Sequence, residues 1–198
     1  MTKIPTSIYA ESTPNPAVLK FVANHRLAVE GALHEFKNID DTAYSPLAMK
    51  LFHFPFVREV FISDNYVSIT KYDLVEWIEV QHELRDFIRT FIEDGETVID
   101  IEKYEAARAE TAANGAEPEI VPQEGIETRI VEILDEYVRP AVAQDGGNIA
   151  FESYRDGVVK VQLQGACNGC PSSTMTLKSG IENILKQMLP GQIREVVA

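Results

Sequence analysis

Gly165-Ala166-Cys167-Asn168-Gly169-Cys170-Pro171 is the stretch of this chain in which the residue types demand a particular chemistry. It contains both cysteines of the protein, three positions apart. A thiolate pair at this spacing can close on one metal ion, one inorganic cluster or one disulfide. The spacing alone does not choose between a zinc half-site, a redox pair, iron–sulfur ligation and a structural role.

The flanking residues predict that this stretch is a loop between a strand and a helix. Apolar and polar residues alternate from Val158 to Gln164, and apolar residues recur at helical spacing after Pro171. The positive end of a helix favours negative charge, so we expect lowered thiol pKa values and a good environment for a thiolate-bound iron–sulfur cluster. Because Asn168 and Gly169 make the loop polar, the sequence argues against two buried, inert cysteines.

The carboxyl-terminal half predicts the order α-β-β-α-β, with the cysteine loop between the second strand and the second helix. Pro140 interrupts the first helix, and Gly146 and Gly147 are interpreted simply as turn residues. The predicted elements are a helix from Pro122, strands Ile149 to Tyr154 and Val158 to Gln164 joined by Asp156-Gly157, a helix after Pro171, and an edge strand Ile193 to Val197.

The amino-terminal half predicts a second small α+β domain and offers no catalytic residues. His25, His34, His53 and His82 are scattered, without a partner at a recognised metal-ligand spacing. The predicted strands are Ser7 to Glu11, Val18 to Val22, Leu33 to Phe36, Val57 to Ile62 and Tyr66 to Lys71, with one helix capped by Ser45 and another carrying an apolar stripe from Leu74 to Ile92.

A change in composition predicts the boundary between the two domains. From Lys103 to Gln123 the chain is rich in Glu, Ala, Thr and Asn, and Gly115, Pro118 and Pro122 interrupt it. We therefore expect an α+β domain at residues 1–102, a linker at 103–122 that is flexible in its second half, and an α+β domain at 123–198.

The overall composition excludes several classes of protein. The net charge of −13 repels phosphate backbones, so nucleic acid is not an expected partner. No apolar run approaches the roughly 18 residues that span a bilayer, so no membrane association is expected. Met1 to Pro5 does not look like a signal or import sequence, which predicts a cytoplasmic protein. In that compartment a lone cysteine pair favours metal binding or catalysis over a structural disulfide.

The number of cysteines limits the kind of site that one chain can form. A structural zinc site or a four-iron cluster usually takes four protein ligands, and this chain has two cysteines. The missing ligands must come from a second copy, a small thiol or histidine. A symmetric dimer would present Cys167 and Cys170 twice.

Several short motifs in both halves of the chain carry a resemblance to known proteins. They are Val138-Arg139-Pro140, Asp145-Gly146-Gly147 and Gly165 to Ser173, and, in the first half, Thr13-Pro14-Asn15-Pro16, Leu19-Lys20-Phe21, Ser45-Pro46-Leu47-Ala48 and Val57 to Lys71. On these residues the chain resembles the Nfu family of iron–sulfur proteins over nearly its whole length. The NifU-like resemblance covers about Gln123 to Val197, and the Nfu amino-terminal resemblance covers the first half.

This resemblance implies a cluster carrier rather than an enzyme. A cluster, usually 4Fe–4S with 2Fe–2S as the alternative, would be shared between two subunits through Cys167 and Cys170 and handed to apo iron–sulfur proteins. The chain lacks the three-cysteine scaffold domain and the ferredoxin-like cysteines of full NifU, which favours late transfer downstream of an assembly scaffold.

Two rival interpretations remain at the level of the sequence. A dithiol–disulfide oxidoreductase would use the same cysteines, but a hairpin precedes the loop where a βαβ unit is expected. A zinc-clamped dimeric binding module would hold metal without iron chemistry. The two rivals and the carrier differ in colour and metal content after anaerobic purification.

Overall fold

The computed structural model describes residues 4–29, 32–113, 125–167 and 171–198. The chain divides into two compact units, residues 1–116 and 117–198. Both units combine helices with a sheet, so the predicted α+β class is confirmed. None of the described helices is long and apolar enough to cross a membrane.

The amino-terminal unit is a five-stranded antiparallel sheet with the strand order β1-β2-β5-β4-β3. The predicted strands and helices of this unit are confirmed to within one or two residues, apart from the start of α2. Its strands are β1 Ile8–Ser12, β2 Val18–Ala23, β3 Leu33–Phe36, β4 Val57–Ser63 and β5 Tyr66–Lys71, and its helices are a 3-10 turn Ile39–Thr42, α1 Pro46–Leu51, α2 Trp77–Glu93 and α3 Ile101–Ala113.

Helices α1 and α2 share one apolar core with the sheet. Phe21, Phe36 and Ile62 of the strands are fully buried, and they pack in one cluster with Leu51 of α1 and Ile88 of α2. The opposite face of the sheet has a smaller cluster of Val22, Phe61 and Tyr66. Strand alternation therefore places apolar side chains on both faces of the central strands.

The helix starts follow from local capping. The Ser45 hydroxyl accepts a hydrogen bond from Ala48 N–H (3.1 Å), as expected of an N-cap, and it also donates to the Val98 carbonyl (2.8 Å). Helix α2 begins at Trp77, later than the predicted stripe, because Glu76 and Glu79 form the capping box. Leu74, which precedes the helix, and Ile78, which faces away from the buried side of α2, are both exposed, so their prediction as part of the apolar stripe is wrong.

Helix α3 begins against the sheet of its own unit. The Asp100 N–H donates to the Tyr44 carbonyl (2.8 Å), and the Tyr104 ring lies edge-on to His34 with centroids 4.7 Å apart. Tyr104 belongs to the stretch that the sequence assigns to the linker. The predicted flexible second half of that linker, and the predicted helix start at Pro122, fall on residues 114–124 and lie outside the described residues.

The carboxyl-terminal unit has a three-stranded sheet with the order β6-β7-β8. Strands β6 and β7 are antiparallel, and β8 is parallel to β7. The predicted order α-β-β-α-β is confirmed. Its elements are α4 Ile126–Ile133, a π-helical segment Leu134–Val138, α5 Arg139–Gln144, β6 Gly147–Arg155, β7 Val158–Gly165, α6 Pro171–Met188 and β8 Glu195–Val197.

The predicted interruption of the first helix at Pro140 takes the form of a π-helical segment. The Arg139 N–H bonds to the Leu134 carbonyl, one residue further back than in an α-helix, and Pro140 lies in the first turn of α5. Proline has no N–H and its ring crowds the preceding turn. A wider turn before it lets the helix continue to the chain reversal at Asp145.

The hairpin β6–β7 and helix α6 enclose the core of this unit. Asp156 and Gly157 both have positive φ (49° and 81°), as the two-residue turn predicted from their sequence requires. Val159, Val161 and Leu163 face the core as predicted, together with Ile181 and Leu185 of α6. Met188, predicted in the apolar stripe of α6, is instead exposed.

Candidate functional site

The cysteine stretch begins where the hairpin of the carboxyl-terminal unit ends. The last pair of the β6–β7 ladder is Gly147 opposite Gly165. Gly165 has a φ of 61°, which turns the chain out of the strand, and the next N–H, that of Ala166, donates to the Gly146 carbonyl (3.2 Å). Cys167 therefore follows a fixed turn at the end of β7.

The second predicted ligand cannot be placed in the same way. Cys170, with Asn168 and Gly169, lies outside the described residues, and α6 is described from Pro171 onwards. The side chains of residues 171–174, which include Ser172 and Ser173 as possible caps of the helix after Pro171, are also outside the described part. The structure therefore describes the site through Cys167 and the strands β6 and β7 that position it.

Cys167 is buried, contrary to the interpretation that the loop excludes inert, buried cysteines. The residue is only 3% exposed and belongs to the apolar cluster of the unit. Burial raises the pKa of the thiol to about 12, and the nearby Asp145 carboxylate adds to the rise. The predicted lowering of the thiol pKa is wrong for Cys167 in this conformation, because loss of hydration outweighs any favourable helix dipole.

Gly147 has a role that the sequence interpretation missed. It lies in β6 rather than in the turn, and only Gly146 of the pair has a positive φ (78°). A Cβ atom on Gly147 would lie 2.5 Å from Cys167 Sγ and 2.7 Å from the Gln164 carbonyl oxygen. Gly147 therefore makes the space in which the Cys167 sulfur lies.

The neighbouring ladder pair is held by side chains. Asn148 is 2% exposed, and its Nδ2 donates to Gln164 Oε1 on the facing strand (2.9 Å). A buried amide is stabilised by such a bond and costs free energy without it. The sequence did not predict this pair, because Asn148 follows two glycines and the three residues together are typical of a turn.

The described residues offer no alternative metal site. Among them, no group of three or more His, Cys, Asp and Glu side chains could hold a metal ion. All four histidines belong to the amino-terminal unit, and His34 is buried among aromatic rings. Described side chains of this one chain therefore do not complete a ligand set around Cys167.

Family models match both units of the chain. A model described as the NifU-like domain matches residues 130–197, and one described as the scaffold protein Nfu/NifU N terminal matches residues 8–95. These two matches, in this order, define a class of two-domain proteins. The chain belongs to the Nfu family, as the resemblance indicated.

Two curated relatives are similar along most of this chain. The NFU1 iron-sulfur cluster scaffold homolog, mitochondrial, of Drosophila willistoni is 35% identical over 184 residues, which are 92% of this chain and 60% of the relative. The protein of that name from Drosophila persimilis is 34% identical over 184 residues, 92% of this chain and 62% of the relative. The chain thus spans about three fifths of their length.

A solved structure gives a weaker likeness. The solution NMR structure of the NifU-like protein from Saccharomyces cerevisiae covers 50% of this chain and 87% of its own, with 28% identity and a TM-score of 0.43. A score at that level carries no conclusion about the site.

The relatives correct one prediction. A cytoplasmic protein was expected from the first five residues, whereas both Drosophila relatives are named as mitochondrial proteins. The cytoplasmic prediction is therefore wrong. Its basis was the character of a few terminal residues, which carry no information about the compartment in which the similar sequences work.

Proposed function

We propose that this protein carries an iron–sulfur cluster as cargo, bound by Cys167 and Cys170 of two copies, and passes it to apo iron–sulfur proteins. The observation that carries the proposal is the placement of Cys167 at the end of β7, before α6, in a unit that matches the NifU-like domain. The names of the relatives, which describe iron–sulfur cluster scaffolds, support it.

The number of thiols supports a shared cargo. A four-iron cluster takes four thiolates and the chain supplies two, so a two-fold pair of chains completes the set. A 4Fe–4S cluster is the first candidate and 2Fe–2S the second. In such a site each chain holds only half of the cargo, which favours its release when thiolates of a recipient replace the ligands one at a time.

The proposal assigns no catalytic residue and no enzymatic turnover. The chain would receive its cluster from an upstream assembly scaffold and act late, on recipients that are apo iron–sulfur proteins. The amino-terminal unit, which carries no cysteine, would serve recipient docking or specificity.

The test is anaerobic reconstitution of the wild type, Cys167→Ser and Cys170→Ser, with iron, sulfide and visible absorption measured on each. We expect the wild type to bind cluster and both variants to lose it while their circular dichroism is unchanged. Gln162→Ala, an exposed position on β7, is the control and should load normally. Full cluster content in either serine variant would refute the ligand assignment.

The same preparation separates the rival functions. A zinc-clamped module would purify colourless with stoichiometric zinc, and a dithiol oxidoreductase would turn over a disulfide substrate without iron. Either result, with no cluster formed on reconstitution, would replace the carrier proposal.

A further inference from the structure

The sulfur of Cys167 has a defined internal position in the carboxyl-terminal unit. A Cβ on Gly147 would lie 2.5 Å from Cys167 Sγ and 3.0 Å from Cys167 N, so the sulfur and the backbone that carries it pack directly on the Gly147 Cα. Atoms of a real side chain do not approach so closely. The site exists because residue 147 has no side chain.

Three features hold the backbone so that the sulfur points inwards. Gly147 pairs with Gly165 across the ladder, Gly165 turns the chain with positive φ, and the Ala166 N–H bonds to the Gly146 carbonyl. The adjacent Asn148–Gln164 hydrogen bond fixes the same end of the hairpin. The inward position of Cys167 is thus a property of the strand pair.

An internal thiol cannot be a ligand of a cluster that two chains share, because such a cluster must touch the surface of both. This step rests on the proposed function. We propose that Cys167 has two positions: without cargo its thiol is stored in the core on Gly147, and cargo binding requires it to turn outwards. Gly147 is then a positioning residue, which acts on cargo through Cys167.

Storage has a chemical consequence for the cargo-free protein. Because Cys167 is only 3% exposed, its thiol is out of reach of oxidants and of thiophilic metal ions while it is stored. The apparent affinity for cargo is the intrinsic affinity multiplied by the fraction of molecules in which the thiol is outward. Gly147 therefore sets a balance between protection of the ligand and ease of loading.

The substitution Gly147→Ala fills the space in which the sulfur lies. Gly147 has no positive φ, so an alanine adds a methyl group without backbone strain of the left-handed kind. That methyl group collides with the stored sulfur and with the Gln164 carbonyl. The matched control is Gly180→Ala, in α6, where an added Cβ meets nothing within 4 Å.

The experiment measures alkylation of Cys167 by iodoacetamide in full-length, reduced, cargo-free protein, with site-resolved mass spectrometry. We expect wild-type Cys167 to react at least ~100-fold more slowly than in urea-unfolded protein, since it reacts only on local opening. Gly147→Ala should raise the rate at least about tenfold, and Gly180→Ala should leave it unchanged. Wild-type protection of less than about tenfold overturns the proposal, whatever the variants do.

A second control separates positioning from general loss of stability. Leu189→Ala removes a buried side chain just beyond the other end of α6 and destabilises the unit without touching the Gly147 site. Urea unfolding of both variants gives the stability that each has lost. If Gly147→Ala accelerates alkylation no more than Leu189→Ala does for the same loss of stability, Gly147 has no specific role. Alkylation uses no iron, so this outcome is independent of whether the serine variants bind cluster.

Discussion

His34 on the edge strand β3 lies edge-on to Tyr104 of α3, with ring centroids 4.7 Å apart and an interplanar angle of 78°. Tyr44 contacts both rings, and the three side chains join α3 to the sheet of the amino-terminal unit. His34 is 1% exposed, and its Nδ1 has no hydrogen-bond partner in the described part of the chain. Burial therefore lowers the pKa of His34 to about 4.

We expect the amino-terminal unit to lose stability in acid because of this histidine. The unfolded chain takes up a proton near pH 6.5, whereas folded His34 stays neutral down to about pH 4. The contribution of neutral His34 to the free energy of unfolding is therefore complete above pH 6.5. Up to about 3 kcal/mol of this free energy is lost as the pH falls towards 4. Trp77, the single tryptophan, reports urea unfolding of this unit by fluorescence at neutral pH and at about pH 4.5.

The control for the acid effect uses two histidine variants. His34→Phe keeps a ring and removes the proton site, so it should flatten the pH dependence of the urea midpoint. His82→Gln, at an exposed position of α2, should leave the dependence as in the wild type. An unaltered slope in His34→Phe would show that other groups cause the acid loss.

Ser45→Ala should destabilise the amino-terminal unit by about 1–2 kcal/mol. The hydroxyl is fully buried, caps α1 and donates to the Val98 carbonyl, so alanine leaves both the Ala48 N–H and that carbonyl without this partner. Urea unfolding followed by Trp77 fluorescence measures the loss. Ser7→Ala, at an exposed position, should change the midpoint little; equal effects of the two substitutions would contradict the capping role.

Asn148→Ala should destabilise the carboxyl-terminal unit by about 0.5–1.5 kcal/mol, because it removes a buried, hydrogen-bonded amide and leaves Oε1 of the half-buried Gln164 without this partner. Asn148 donates to Gln164 beside the cysteine turn. Urea unfolding monitored by circular dichroism, with Trp77 fluorescence to subtract the amino-terminal transition, gives the loss. Gln162→Ala on the exposed side of β7 is the control. If Asn148→Ala left the free energy of unfolding unchanged, water would replace the hydrogen bond without cost.

Cluster loading should change the oligomeric state. If two chains share one cluster, the cargo-free protein elutes as a monomer and the loaded protein as a dimer on anaerobic size-exclusion chromatography. The ratio of iron to chains should be about two for a shared 4Fe–4S cluster. A loaded monomer with full cluster content would contradict sharing.

The sequence predicts this fold well where the signal is local. Ser45 before Pro46 fixes a helix start, and Asp156-Gly157 fixes a hairpin, because each depends on neighbouring residues only. Leu74 was misplaced because spacing alone does not show where a cap begins the helix. Ile78 lies within α2 but off the stripe that includes Val80 and Leu84, so it faces solvent. The predicted start of β6 was two residues late, since glycine and asparagine resemble turn residues even when they pair.

The candidate site was predicted less completely. The identity and location of Cys167 follow from the sequence, but its burial does not, because burial depends on Gly147, twenty positions earlier. The thiol pKa was predicted in the wrong direction for the same reason: helix position is visible in the sequence, and desolvation is a tertiary effect.

The π-helical segment Leu134–Val138 keeps the buried face of α4 aligned with the buried face of α5. It amounts to about one extra residue in an otherwise α-helical run. An extra residue in a regular α-helix would turn everything beyond it by about 100°. The wide turn takes up this residue instead, so Ile133 before it and Val142 after it both stay in the interior. The unit thereby accommodates Pro140 and still delivers the chain in phase to the strand pair that holds Cys167.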